Sequence, residues 1–281
     1  MRIPVLAVVL ALVAAGCSSG GGGGGLTAHI QPARVFALSG VQPTGPAPVG
    51  RPTTVAFTIR QPSGQPLTKF RTGPGPHTGV HVIIVHDDLS SIVHEHPPVA
   101  PNGRISLPVT FARPGHYRML VDVYPALGGP LRNFQLHTDL RAGRGGVRRP
   151  LPPPRQVVTV DGYRVAMTSK PRLAAIQPAF IPFKVTDPNG RPARFEPWFG
   201  ALAHAIFFHA GNLDYFHTHV CSPGATGCAS LLGTSSVTGR STKPGILTVG
   251  VLLPEPGTWR LFLQTQVNGH VITAPFTLKV H

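Results

Sequence analysis

Residues 81–96 read HVIIVHDDLSSIVHEH, and residues 204–219 read HAIFFHAGNLDYFHTH. An interval of 123 residues separates His81 from His204, His86 from His209, His94 from His217 and His96 from His219. Most residues between these fixed points differ. Each stretch opens on an apolar run whose two faces, His81, Ile83, Val85 and Val82, Ile84, His86 in the first copy, are both hydrophobic. That pattern predicts a central strand buried on both sides. Imidazole is the commonest side-chain metal ligand, and two histidines at i, i+2 on extended chain project from one face. The spacing predicts a tandem protein with one metal-ligand cluster in each repeat.

The repeat extends beyond the histidines. Pro62-Ser63-Gly64-Gln65-Pro66 answers to Pro188-Asn189-Gly190-Arg191-Pro192, each a turn after an alternating apolar run. Downstream, Pro114-Gly115-His116-Tyr117 answers to Pro256-Gly257-Thr258-Trp259 at an interval of 142, so the second copy carries 19 more residues after its H-x-H. Cys221 and Cys228 lie in that insertion. An even pair of cysteines in an oxidising compartment favours a disulfide between them over metal ligation.

Short runs rich in Val, Ile, Phe and Thr, punctuated by 32 Pro and 33 Gly, leave almost no helical periodicity. Their spacing predicts an all-β protein of two tandem immunoglobulin-like β-sandwich domains. Asn268-Gly269 reads as a two-residue hairpin turn. The two Pro-Gly motifs resemble the turn into a late strand of such sandwiches, with Tyr117 and Trp259 entering the core. The expected organisation is a signal and Gly-rich tether over residues 1–25, repeat 1 over 26–140, a solvated Arg/Pro/Gly linker over 141–155 and repeat 2 over 156–281.

Met1-Arg2 and the apolar Ile3–Ala15 have the form of a secretory signal, too short for a membrane span. Val13-Ala14-Ala15-Gly16-Cys17 resembles a bacterial lipobox, which implies lipidation of Cys17 and an extracytoplasmic lipoprotein anchored to the membrane. Simple secretion is the alternative. The formal charge of +15, from 25 Lys+Arg against 10 Asp+Glu, fits attraction to anionic headgroups or wall polymers, and equally an arginine-rich background. No nucleic-acid-binding module is recognisable.

His81 and His86 differ in parity, so only one of them can join the H-x-H pair on one face of a regular strand. His81, His94 and His96, with His204, His217 and His219, are the candidate metal ligands. His86 and His209 are assigned to second-shell or structural roles. His77, His116, His137 and His270, which have no histidine counterpart, default to surface or packing positions. Three neutral imidazoles suit copper(II), zinc or nickel; copper leads, with zinc as the alternative. The opposing reading is that these are packed core histidines and solvated loop residues, copied by duplication along with the fold.

Residues 79–97, GVHVIIVHDDLSSIVHEHP, resemble a group of actinobacterial secreted proteins with a D-L-x(4)-H-x-H-P signature. More loosely, the chain is similar to the copper-handling β-sandwiches of the bacterial envelope, the copper-resistance carriers and YtkA-like domains. The resemblance spans about residues 50–140 and 160–280. It implies a cupredoxin-like or copper-carrier-like sandwich, the six ligands above, and metal buffering or delivery to a metal-accepting protein. In the second repeat Val220 stands where the first has Pro97. No nucleophile–base motif or phosphate-cradling loop is present, so the expected function is not enzymatic. A metal-free adhesion or structural module binding a protein or cell-wall partner is the alternative from another class; a redox enzyme with a three-His copper centre is a third.

Overall fold

The structure, a computed structural model, describes residues 35–73, 75–128, 133–225 and 237–281. Cys17 and Cys228, and with them the expected lipidation and disulfide, lie outside the described residues. Val35–His281 forms one compact unit. Among the described residues its named elements are all strands: β1 (Ala37–Gln42), β2 (Pro52–Arg60), β3 (Val80–His86), β4 (Ile92–Glu95), β5 (Arg104–Thr110), β6 (Gly115–Val123) and β7 (Phe134–Ala142), followed by β8 (Val157–Val160), β9 (Tyr163–Met167), β10 (Ala179–Thr186), β11 (Ala203–His209), β12 (Tyr215–Cys221), β13 (Gly239–Arg240), β14 (Ile246–Val251), β15 (Gly257–Val267) and β16 (His270–Val280).

The first repeat is a sandwich of sheet β1-β2-β5 on sheet β4-β3-β6-β7. Alternation along the strands sends Phe57, Ile59, Val82, Ile84, Ile105, Met119 and Val121 into its core. The second repeat has the corresponding faces β8-β9-β10-β14 and β12-β11-β15-β16, with Phe183, Ala205, Phe207, Leu247, Trp259 and Phe276 between them. Here the insertion adds β13, which pairs in parallel with β12 and antiparallel with β14 and joins both faces into one nine-stranded sheet. The fold is therefore all-β, two immunoglobulin-like sandwiches in series.

Several local expectations are met for clear reasons. Val267 pairs with His270 across Asn268-Gly269, both in the left-handed region that this two-residue turn requires. Tyr117 and Trp259 enter the two cores and anchor their polar tips four residues back: Tyr117 Oη donates to Arg113 O at 2.7 Å, and Trp259 Nε1 to Glu255 O at 3.1 Å.

The reason that β3 and β11 are buried on both faces is a third apolar layer. Ile83, Val85, Leu89 and Leu120 of the first repeat pack on Ile206, Phe208, Tyr215 and Phe262 of the second. The two sandwiches thus stack sheet on sheet, with β3 and β11 at the middle of the stack. The segment 141–155, read as a solvated linker, is exposed over most of its length and is pinned to the sandwiches at a few points. Leu151 packs against the shared layer, Arg149 N donates to Asp88 Oδ2 at 2.9 Å, and Arg113 holds Val147 O at 3.0 Å.

Candidate metal centre

β12 carries both His217 and His219, and β4 carries His94 and ends at Glu95, one residue before His96. β3 pairs with β4 so that Ile83 lies opposite His94. β11 pairs with β12 so that Ile206 lies opposite His217, and His204 opposite His219. The shared register places each strand-entry histidine on the face of the following H-x-H, and that face is the one turned toward the other repeat. The two histidine sets consequently meet. The expectation of one separate cluster per repeat is corrected: among the described residues there is a single composite cluster at one end of the interface.

Sets of ligand atoms within 4.8 Å of one another are His81/His94/His96, His81/His217/His219 and His94/His204/His217. Two of the three mix the repeats. His81, His94, His204 and His219 are buried, and His96 and His217 are partly covered.

Hydrogen bonds decide which ring nitrogens face inward. Trp198 O can only accept, so His204 Nε2 donates to it at 2.9 Å and leaves Nδ1 as a lone pair. Gln264 gives its amide N–H to Thr273 Oγ1 at 3.1 Å and turns its Oε1 to accept from His94 Nδ1 at 3.0 Å, leaving His94 Nε2 bare. Asp122 Oδ2 accepts from Tyr215 Oη at 2.8 Å and from His217 Nδ1 at 3.3 Å, leaving His217 Nε2 bare. His204 Nδ1 and His217 Nε2 then face one another at 3.3 Å as two lone pairs. Such an arrangement is repulsive unless a cation lies between them.

Ring spacing agrees with this. The centroids of His94, His204 and His217 are 4.9, 5.1 and 5.5 Å apart. Three imidazoles aimed at one tetrahedral ion with metal–nitrogen bonds of about 2.0–2.1 Å have centroids about 5.2 Å apart. Outer partners such as Gln264, Trp198 O and Asp122 are what fix tautomer and orientation in metal-binding histidines.

The remaining rings surround this triad. His96 is sandwiched between His81, at 3.6 Å, and Phe199, at 3.8 Å and 5°. Its Nε2 lies 3.3 Å from His94 Nε2. Both ring nitrogens of His81 and the Nε2 of His219 are buried without a hydrogen-bond partner. Burial, then the neighbouring His204 and His77, lowers the pKa of His81 to about 3. Burial lowers that of His204 to about 4 against the Trp198 carbonyl, and holds His94, His96, His217 and His219 far below the usual imidazole range. The cluster is therefore neutral at pH 7. Burial pushes the Asp122 carboxyl up to about 7 against its hydrogen bonds from Tyr215 and Gln135.

Sequence reasoning missed several members of the site. His77, expected at a surface or packing position, sits 4.8 Å from the His219 ring and 3.4 Å from Tyr124 Oη. Trp198 and Phe199 occupy the corresponding loop of the second repeat and cover His94 and His96. Asp122 on β6 and Gln264 on β15 stand at equivalent positions, 142 residues apart, opposite His81 and His204. Each bonds the other repeat's first H-x-H histidine. The repeat interval was the available signal, but a carboxylate answering to an amide hid the equivalence.

His86 and His209 lie at the far ends of β3 and β11, away from the cluster. His86 Nε2 contacts Pro114 O at 3.2 Å, and its Nδ1 lies 2.7 Å from Asp88 Oδ1 and 3.1 Å from Asp88 N. His209 Nδ1 lies 3.0 Å from Asn212 Oδ1, 3.2 Å from Gly211 N and 3.3 Å from Glu255 Oε1. Both rings lie against the glycine of the repeated Pro-Gly turn, where a Cβ at Gly115 would come within 2.6 Å of His86 Nε2, and one at Gly257 would meet His209 as closely.

A domain family of unknown function, DUF8832, matches residues 39–139 and 158–281. The chain belongs to the DUF8832 family. No curated protein matches this DUF8832 chain. Among solved structures it is similar to the Lin-41 filamin domain, at 21% identity and TM-score 0.27, covering 40% of this chain and 96% of that one. It is also similar to invasin, a bacterial integrin-binding protein, at 16% and TM-score 0.25, covering 88% of this chain and 38% of that one. The fibronectin(III)-like modules of Clostridium thermocellum CbhA match at 10% and TM-score 0.22, covering 88% and 93%.

Proposed function

We propose that this protein binds one transition-metal ion between its two sandwiches, through His94 Nε2, His204 Nδ1 and His217 Nε2. Copper(II) leads, with zinc as the alternative, because the donor set is all imidazole. The observation that carries the reading is the set of three lone pairs, each directed inward by an outward hydrogen bond to Gln264, Trp198 O or Asp122. His81, His96 and His219 complete the enclosure and supply further nitrogen donors within reach. The reading extends to a non-enzymatic, extracytoplasmic lipoprotein, anchored through Cys17, that buffers the ion or delivers it to an accepting protein.

X-ray absorption on the full chain loaded with copper(II) or zinc tests the ligand set. The expected shell is nitrogen-only at about 2.0 Å, and it disappears when His94, His204 and His217 are all changed to Ala. A shell unchanged in that variant overturns the assignment; absence of any bound ion in the wild type returns the histidines to a packing role.

A further inference from the structure

Asp122 and Gln264 occupy equivalent places around the approximate two-fold relation of the repeats, yet one is a carboxylate and the other an amide. Each reaches across the interface: Asp122 holds His217 Nδ1 at 3.3 Å, and Gln264 holds His94 Nδ1 at 3.0 Å. No other acidic side chain hydrogen-bonds a cluster histidine among the described residues, and Asp122 is itself 4% exposed. Imidazoles contribute lone pairs but no charge, and the Asp122 carboxyl is the acidic group placed one ring away from the ion. Resting on the three-imidazole reading, we infer that Asp122 is the residue that sets the charge selectivity of the site, favouring a divalent over a monovalent ion through His217.

The size of the effect follows from Coulomb's law. The carboxylate would lie roughly 6 Å from an ion on the far nitrogen of His217, and at an effective dielectric of about 20 each added unit of ion charge is favoured roughly 100-fold. Orienting His217 alone would favour both charge states alike. An amide at this position keeps the oxygen that accepts from His217 and Tyr215 while removing the charge. The approximate symmetry offers a second place for the charge, because Gln264→Glu puts a carboxylate on His94 in the same relation to the ion.

The copper(II)/copper(I) midpoint potential of the copper-loaded full chain reads the affinity ratio for the two charge states of one element. Asp122→Asn is expected to raise it by about 120 mV, the 100-fold ratio at 59 mV per decade for one electron. Gln264→Glu alone is expected to lower it, and Asp122→Asn combined with Gln264→Glu to return it toward the wild-type value. An unchanged potential in both single variants, with copper still bound, overturns the inference and leaves the metal site standing. A shift in Asp122→Asn that Gln264→Glu cannot reverse also overturns it, because the cause would then be the placement of His217. If wild type and Gln264→Glu bind no copper, the three-imidazole reading itself fails, and the charge role with it.

Discussion

At the scale of single residues, the eight repeated histidines separate into two kinds by what touches their second nitrogen. His86 and His209 spend their rings on side chains and backbone of the turn beside them, Asp88 and Asn212 first, and on the bare glycine face. Gly115 and Gly257 have φ of 145° and 135°, a region that disfavours any side chain, and a Cβ would collide with the imidazole as well. Gly115→Ala is therefore expected to destabilise the protein by about 2 kcal/mol or more, read by urea denaturation, and Gly257→Ala to do the same. A change below about 0.5 kcal/mol, the ordinary surface range, would show that these rings do not depend on the glycines. The cluster histidines behave differently. Their folded pKa values lie below the unfolded value of about 6.5, so the unfolded chain binds more protons as pH falls. The metal-free protein is expected to keep their full contribution above about pH 6.5 and to lose it toward the folded values of about 4 for His204 and about 3 for His81. Asp122, raised to about 7, has the opposite sign, its contribution fading as pH rises from the unfolded carboxylate value to 7. It is one group against several. Stability measured by denaturant midpoint should thus fall steeply below pH 6; a flat profile would mean that the rings are solvated.

At the scale of elements, β3 and β11 were legible and β4 and β12 were not. Two apolar faces on six or seven residues declare a central strand, whereas Ile92–Glu95 and Tyr215–Cys221 alternate histidine with polar or apolar neighbours and resemble a returning loop. What turns them into strands is the partner edge of β3 or β11, a non-local cause. The insertion likewise gave no sign that Gly239–Arg240 would join two sheets. The Trp198–Phe199 loop was unreadable for another reason: its conformation depends on the site it covers. Phe199 sits at φ 47°, costly for a bulky residue, and its ring lies flat on His96 at 3.8 Å. Phe199→Ala is expected to speed ion release to a strong chelator by about tenfold or more, the equivalent of about 1.4 kcal/mol, without changing the number of ions bound. Stopped-flow measurement with an unchanged rate would remove the loop from the path of the ion.

At the scale of the whole molecule, the duplication predicted two sandwiches correctly but placed a cluster in each. A repeat interval reports equivalence between positions and carries no information on how the copies pack. The apolar layer of Ile83, Val85, Ile206, Phe208 and Phe262 supplies that information only in three dimensions. Ile206→Asp, a charge buried without a partner, is expected to cost several kcal/mol, to separate the repeats and to lower ion affinity even though no ligand is altered. Small-angle scattering and metal titration together check this, and unchanged dimensions with full affinity would deny that the layer builds the site.

Stoichiometric titration of the full chain with copper(II) and zinc, repeated on His94→Ala and on His217→Ala, tests the central claim most directly. A site composed from both repeats predicts one tightly bound ion in the wild type, and loss of that ion in either variant. Two ions in the wild type, with each substitution removing only one of them, would contradict it and restore one independent centre to each repeat.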